Sequence, residues 1–385
     1  MAPPAATVAV LGDDLLREVF ILLPTSTDLL RAALACKPFL RAARSAPFLR
    51  RFRRRHPFTC PLLLGCLLHG PTDRRRSTAP HLLPAHPDAA TRRVIDGADF
   101  AFSFLPRRGW PEAAGSPWQL LDCRNGRALL LSRASRALAV ADPLTRRSVP
   151  LPAIRGLGYA LVADDGDSSL FKAVCISRRV GGPGLRAFLL SSADLRWAEV
   201  AVAGLDDVQP DLAGSRAMQA NGSLYWKLVG GERMVALNTD TMEFAVLELP
   251  PFLKEISFDI IEKGEDGAAG LYLLTMRGFC IEVWVGVKDG ANGGLTWTLV
   301  EKSVMFHRAM AEMVGSEFFY QNRLDVIGVV AGVVFLRNGE CLFSIDLQTM
   351  KMTRVSPKEN CLSHLIYPCT TAWPPSFLNP TEQGA

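Results

Sequence analysis

The sequence predicts a small all-α module at the N-terminus followed by an all-β propeller of six blades. Three observations lead there. Residues 11–39, LGDDLLREVFILLPTSTDLLRAALACKPF, place leucines at helical spacing and stop them at a proline. Beyond about residue 93 the helical period is lost, and short β-rich runs alternate with Gly, Asn and Asp turns. Those runs recur at a mean spacing of about 51 residues, the size of a four-stranded blade.

The helical part comes first. On a helical wheel Leu11, Leu15, Leu16, Val19, Phe20, Leu22 and Leu23 fall within roughly 180°. Asp13, Asp14, Arg17 and Glu18 fill the other side, with Ile21 as the exception. A helix facing only its own small core needs about 100° of apolar stripe. The excess implies two buried faces, one against its own neighbours and one against another protein. Pro24 ends this helix, and Thr25-Ser26-Thr27-Asp28 supplies N-cap chemistry for a second that runs to Cys36. Pro38 and Pro47 each sit where a further helix would begin. A bundle of three or four short helices follows, finishing near Arg55-His56-Pro57.

This stretch resembles an F-box. The family's opening of Leu-Pro-Asp-Asp-Leu-Leu, Glu-Ile-Phe and Leu-Pro stands here as Leu11, Asp13-Asp14-Leu15-Leu16, Glu18-Val19-Phe20 and Leu23-Pro24. A later cue, Cys followed by a basic residue and an aromatic, stands as Cys36-Lys37 and Phe39. Gly12 replaces the usual Pro, and Pro38 is inserted before the aromatic. The resemblance implies that the helices dock on a Skp-family adaptor and, through it, on a cullin. It puts Leu11, Leu15, Leu16, Val19, Phe20, Leu23, Pro24, Leu29, Leu34 and Phe39 in the adaptor-binding or supporting layer, without dividing them between interface and core.

The β-rich part begins after residues 70–93, whose Pro, Arg, His and Ala content lacks periodicity and reads as a loop. Strands are expected at 128–131, 171–176, 186–190, 224–228, 271–276, 280–287 and 328–336. An internal repeat orders them. An Asx, two residues, then Thr, with an aliphatic six further on, occurs as Asp142/Thr145/Leu151, Asn238/Thr241/Leu247 and Asp346/Thr349/Val355. The Asx side chain is expected to cap the backbone of a turn between outer strands. Asn-Gly precedes the first two copies at equal distance, as Asn125-Gly126 and Asn221-Gly222, whereas Asn338-Gly339 stands closer to the third. Between these copies lies Trp-x-x-Val, at Trp197/Val200 and Trp297/Val300, with each indole expected between neighbouring sheets, the alternative being an exposed rim where it would anchor a target. One blade cannot bury both faces alone, and radial packing buries them while leaving short edges.

The repeat is similar to the propeller associated with F-boxes in plant proteins. Asn125-Gly126, Asp142-Pro143-Leu144-Thr145-Arg146 and the exit Leu151-Pro152 carry the likeness, echoed by Asn221-Gly222-Ser223-Leu224-Tyr225-Trp226 and Leu249-Pro250. Five blades are visible, residues 60–104 have room for a sixth, and 365–378 can complete the first. The expected organisation is a flexible N-terminus over 1–9, an F-box over 10–56, the F-box-associated propeller over 57–357, and a C-terminal segment over 358–385.

Charge and composition narrow the function. Residues 1–110 hold seventeen Lys/Arg against eight Asp/Glu, a net of +9, so the remainder carries −4 of the chain's +5. Much of the excess is Arg50-Arg51-Phe52-Arg53-Arg54-Arg55, read as the solvated last turn of a helix, where cations suit the macrodipole. Nuclear import and nucleic-acid contact are the other readings of that run. The longest apolar run, 327–336, is too short to span a bilayer, and the N-terminus lacks the pattern of a secretory signal. Nine scattered cysteines read as free thiols, and His81 and His86 lack a partner at ligand spacing. Asp164-Asp165-Gly166-Asp167 lacks the downstream Glu of a calcium loop and reads as a turn. The sequence has no phosphate-cradling Gly motif and no nucleophile elbow, and it picks out no carboxylate pair. A non-catalytic substrate receptor of a Skp-cullin-F-box ubiquitin ligase is expected, cytoplasmic or nuclear, with no cofactor or metal. Its partners would be the adaptor and an unidentified target protein, without membrane or nucleic acid. The alternative is a propeller scaffold that binds a partner without ubiquitin transfer.

Overall fold

The computed structural model describes residues 11–56, 62–69, 79–85, 92, 95–107, 116–162, 170–204, 211–212, 216–262, 270–288, 295–304, 324–339, 341–355, 365–374 and 378. Four short helices open the chain: α1 (Asp13–Phe20), α2 (Ser26–Ala35), α3 (Lys37–Ala43) and α4 (Ala46–Arg55). Thr25 caps α2, its Oγ1 accepting from the Asp28 N–H at 3.1 Å. Pro38 and Pro47 sit in the first turns of α3 and α4, where a missing N–H costs no helix bond.

A six-bladed propeller of antiparallel sheets follows. Blade one begins with β1 (Leu63–His69) and β2 (His81–Pro84). Blade two is β3 (Trp118–Arg124), β4 (Arg127–Ser132), β5 (Leu138–Asp142) and β6 (Arg147–Leu151). Blade three is β7 (Gly158–Val162), β8 (Lys172–Arg178), β9 (Leu185–Ser191) and β10 (Trp197–Ala203). Blade four is β11 (Met218–Ala220), β12 (Ser223–Lys227), β13 (Arg233–Asn238) and β14 (Phe244–Glu248). Blade five is β15 (Phe258–Ile261), β16 (Leu271–Arg277), β17 (Cys280–Lys288) and β18 (Leu295–Val304). Blade six is β19 (Leu324–Val330), β20 (Val333–Asn338), β21 (Cys341–Asp346) and β22 (Met352–Arg354). The C-terminal β23 (Leu365–Thr370) returns to blade one and pairs with β1, Leu67 opposite Tyr367. Chain ends from both termini therefore share one sheet, which removes the open edge a linear array would leave.

Two expectations about strands are corrected. Residues 70–93 contain a strand: β2 pairs with β1, Leu67 opposite Leu82. It is an edge strand of four residues ending at Pro84, so neither alternation nor freedom from proline marks it in the sequence. The run 328–336 is not one strand but the hairpin β19–β20, turning at Ala331 (φ 48°) and Gly332 (φ 74°).

That turn also corrects the repeat. Asn125 (φ 48°) and Asn221 (φ 49°) hold the equivalent place in blades two and four, each followed by a glycine of positive φ. The Thr239 N–H bonds to the Gly222 carbonyl at 2.8 Å, and the Leu347 N–H bonds to the Gly332 carbonyl at the same distance. Ala331-Gly332, and not Asn338-Gly339, is therefore the third copy. The Asx turns are as expected: Asp142, Asn238 and Asp346 each accept, through Oδ1, the N–H groups two and three residues ahead. Arg146, Met242 and Met350 follow at φ 56°, 56° and 55°. Blade three holds a fourth copy that the pattern missed. Ser191 replaces the Asx, accepting from the Ala193 N–H, and Leu195 takes φ 52°.

The seams between blades are apolar, but the inner strands β3 and β15 carry buried carboxylates. Asp122 accepts from the N–H groups of Cys123 (2.9 Å) and Leu161 (2.8 Å) and from Arg124 Nε (2.9 Å). Asp259 accepts from the N–H groups of Ile260 (3.0 Å) and Val329 (2.7 Å) and from Arg216 (2.8 Å). Leu161 and Val329 belong to the next blade's inner strand, so each carboxylate bridges a seam. Arg124 reaches on to the Ala217 carbonyl, next to β11. Burial alone would lower the Arg216 pKa, yet the Asp259 and Asp122 carboxylates raise it. Gly328 leaves room for this guanidinium, since a Cβ there would lie 3.1 Å from it and 2.9 Å from Pro368.

Candidate functional site

The helical module has one core. Leu16, Phe20, Leu29, Ala33, Phe48, Leu49 and Phe52 are buried in it, with Leu23 and Phe39 packed alongside. Phe20 and Phe39 meet edge to face at 5.3 Å.

Part of the polar side of α1 turns toward the other helices, Asp13 and Arg17 being mostly covered, while Asp14 and Glu18 reach solvent. Arg41 on α3 forms a two-pronged pair with Asp13, at 2.8 and 3.0 Å. Arg51 on α4 holds Glu18 at 3.0 Å, and Arg17 donates through Nε to the Ala42 carbonyl at 3.2 Å. The hydrogen bond from Arg41 holds the Asp13 carboxyl below its ordinary range, and that from Arg51 does the same for Glu18. These pairs tie α1 to α3 and α4, whereas Asp14, at 97% side-chain exposure, pairs with Arg17 of its own helix at 2.7 Å.

Apolar side chains share the outward side with Asp14 and Glu18. Leu15 is 59% exposed, Val19 48%, Leu22 68% and Leu34 67%. Leu11 and Pro24 are exposed beside them. The ten residues singled out from the sequence thus divide. Leu11, Leu15, Val19, Pro24 and Leu34 are outward, Leu16, Phe20 and Leu29 are core, and Leu23 and Phe39 are half-buried at its edge. Leu22 is the outward residue that the selection missed, although it lay in the same apolar arc. Ile21, the apparent exception on the polar side, is 3% exposed because it packs into the helical core, and His56 Nε2 lies 3.0 Å from the Ile21 carbonyl.

The module sits on the propeller through the chain's C-terminal end. After β23, Trp373 and Leu378 enter the helical core and are buried there. The Trp373 N–H donates to Asn125 Oδ1 at 2.7 Å, in the β3–β4 turn. The same turn holds Gly126, where a Cβ would come within 2.8 Å of the Ala372 nitrogen, so its φ of 76° and its lack of a side chain are both used. The helices therefore occupy the end of the propeller where first and second strands join.

Trp197 and Trp297 take equivalent places. Each opens or nearly opens an outer strand, half-buried at a seam, and donates its indole N–H to the end of the preceding blade's outer strand: Pro152 carbonyl at 2.8 Å, Glu248 carbonyl at 3.0 Å. The cysteines described are free thiols, and burial pushes Cys175 up to about 12. Among the described residues no group of three or more His, Cys, Asp or Glu could hold a metal ion, and no helix is long and apolar enough to cross a membrane. Residues 1–9, His86 and the Asp164–Asp167 cluster lie outside the described residues.

The fold thus defines a propeller of the protein-interaction class, carrying a small helical module on one end. A family model described as "F-box protein AT5G49610-like, beta-propeller" matches residues 119–377, and the chain belongs to that family. The match begins within β3 and does not reach the helices. No curated protein matches the chain. Similar solved structures include a nidogen/laminin complex, at 9% identity and TM-score 0.39, covering 80% of this chain and 100% of that one. Others are the WD40 domain of SCAP from fission yeast (12%, TM-score 0.31, 66% of this chain and 56% of that one) and apo AztD from Citrobacter koseri (11%, 0.33, 66% and 76%). At these scores the likenesses carry no argument.

Proposed function

We infer that this protein is the target-recognising subunit of a Skp-cullin-F-box ubiquitin ligase. The observation that carries the reading is helix α1, which Arg41 and Arg51 tie to α3 and α4 through Asp13 and Glu18 while Leu15, Val19 and Leu22 face solvent. An exposed apolar stripe on a helix held rigidly by its polar side suits docking on another protein. The F-box pattern supplies the occupant, a Skp-family adaptor that links to a cullin. Leu11, Leu15, Val19, Leu22, Pro24 and Leu34 would form the contact, with Leu16, Phe20, Leu23, Leu29 and Phe39 supporting it. On this reading residues 10–56 are the F-box and the propeller presents one target to the ubiquitin-charged enzyme. The chain performs no covalent step of its own and acts by proximity. Its place is the cytoplasm, the nucleus or both.

The test is capture of a purified Skp-family adaptor by the full chain. Leu15→Asp/Leu22→Asp should fold normally and lose capture, since such anchors often contribute about 2 kcal/mol each. Undiminished capture by the folded variant would remove the F-box assignment.

A further inference from the structure

The propeller end opposite the helical module is built from the turns joining second to third strands and from the segments between blades. Within blades two and three, and in the one segment that joins them to each other, these are residues 133–137, 152–157 and 179–184. Together with Arg178, at the end of β8, they hold five arginines and no Asp or Glu.

Packing makes them one surface. The Tyr159 hydroxyl donates to the Ile154 carbonyl at 2.9 Å and accepts from the Gly156 N–H at 2.8 Å, which pins the loop bearing Arg155. The Leu157 N–H bonds to the Ile176 carbonyl at 2.7 Å, drawing that loop against the end of β8, next to Arg178. From the other side Arg136 lies close enough to favour the Tyr159 phenolate. Arg136, Arg155, Arg178 and Arg179 are exposed, and among the described residues none of them, nor Arg133, is ion-paired. Elsewhere Arg41, Arg51, Arg124 and Arg216 each hold a carboxylate. At the tip of the 179–184 turn Val180 is 81% exposed, more than any other large apolar side chain among the described residues.

The geometry points to a docking surface for an acidic protein segment, its carboxylates meeting these arginines and an apolar side chain meeting Val180. This rests on the receptor reading, in which it is the seat of the target. Arginine set around an apolar anchor is the composition of interface hot spots. Nucleic acid fits less well. The three segments hold no aromatic on which a base could stack.

The test uses the full chain and a fluorescein-labelled peptide, Glu-Glu-Leu-Glu-Glu-Leu-Glu-Glu, read by anisotropy. Arg178→Glu/Arg179→Glu should weaken binding about tenfold or more, with the melting temperature unchanged. Arg50→Glu/Arg54→Glu, in the exposed run on α4, should leave it within about twofold. If the first double variant melts early, Arg155→Gln takes its place, with a loss of about threefold expected. Unchanged binding by the propeller variants, or a loss confined to the α4 variant, overturns the proposal. So does oligothymidylate that binds the unaltered chain more tightly than the peptide. Adaptor capture on the same samples separates the two readings. A chain that captures adaptor but ignores the peptide defeats this surface alone. One that binds the peptide through Arg178 and Arg179 but captures no adaptor defeats the receptor reading and leaves the surface standing.

Discussion

Trp373 stacks on Phe52, ring centroids 6.2 Å apart and planes 22° from parallel. One ring closes α4, the other follows the strand that closes the propeller, so a single contact joins the two parts of the chain. Trp373→Ala is expected to cost about 3–5 kcal/mol in chemical denaturation. It should also speed hydrogen exchange at the α4 amides more than at the blade strands. Unaltered exchange in α4 would mean that the helices do not lean on the C-terminal end.

Leu15 and Leu16 are neighbours with opposite fates, 59% and 0% exposed. Leu16→Ala should destabilise the chain by about 2–5 kcal/mol. Leu15→Ala should stay within about 0.5 kcal/mol while weakening adaptor capture. Equal melting temperatures for the two variants would contradict the orientation of α1.

The Asp259 carboxylate serves three donors from three places in the chain. Asp259→Ala leaves the Arg216 guanidinium and the Val329 N–H without it and should cost about 3–5 kcal/mol. Arg216→Met should cost less, because the backbone donors of Ile260 and Val329 still satisfy the carboxylate. Urea midpoints for both variants give the order, and a more damaging Arg216→Met would refute it.

Trp297 lies flat against Gly286, where a Cβ would meet its ring at 3.0 Å. Being half-buried, Trp297→Ala should cost about 2–3 kcal/mol, short of the full loss for a core tryptophan. Trp197→Ala should match it within about 1 kcal/mol, since both indoles bridge a seam in the same way. A negligible loss at either position would make that indole a surface group and break the equivalence.

What the sequence determined was whatever depends on neighbours in the chain. The Asx turns at Asp142, Asn238 and Asp346 are closed by bonds to residues two and three ahead, so their spacing alone announces them. The apolar arc of α1 is equally local, because helical period places Leu11 to Leu23 without help from any other element. The hairpin at Ala331-Gly332 and the Ser191 turn escaped because backbone geometry, not the preferred side chain, sets them. β2 escaped because an edge strand needs little more than a partner's backbone.

Tertiary structure decided everything that rests on distant partners. Leu15 and Leu16 are the same residue type one position apart, and only the packing of α2, α3 and α4 says which one faces out. Ile21 looked misplaced until its place in the core of the four helices explained it. No local pattern marks Asp122 and Asp259, yet seam-crossing N–H groups from the next blade make them braces. Trp373 finds Phe52 and Asn125 because β23 returns to blade one, and Arg136, Arg155, Arg178 and Arg179 come together because two blades lie side by side. Contacts of that kind leave no local spacing to read, since the chain between them is free to be any length that closes the ring.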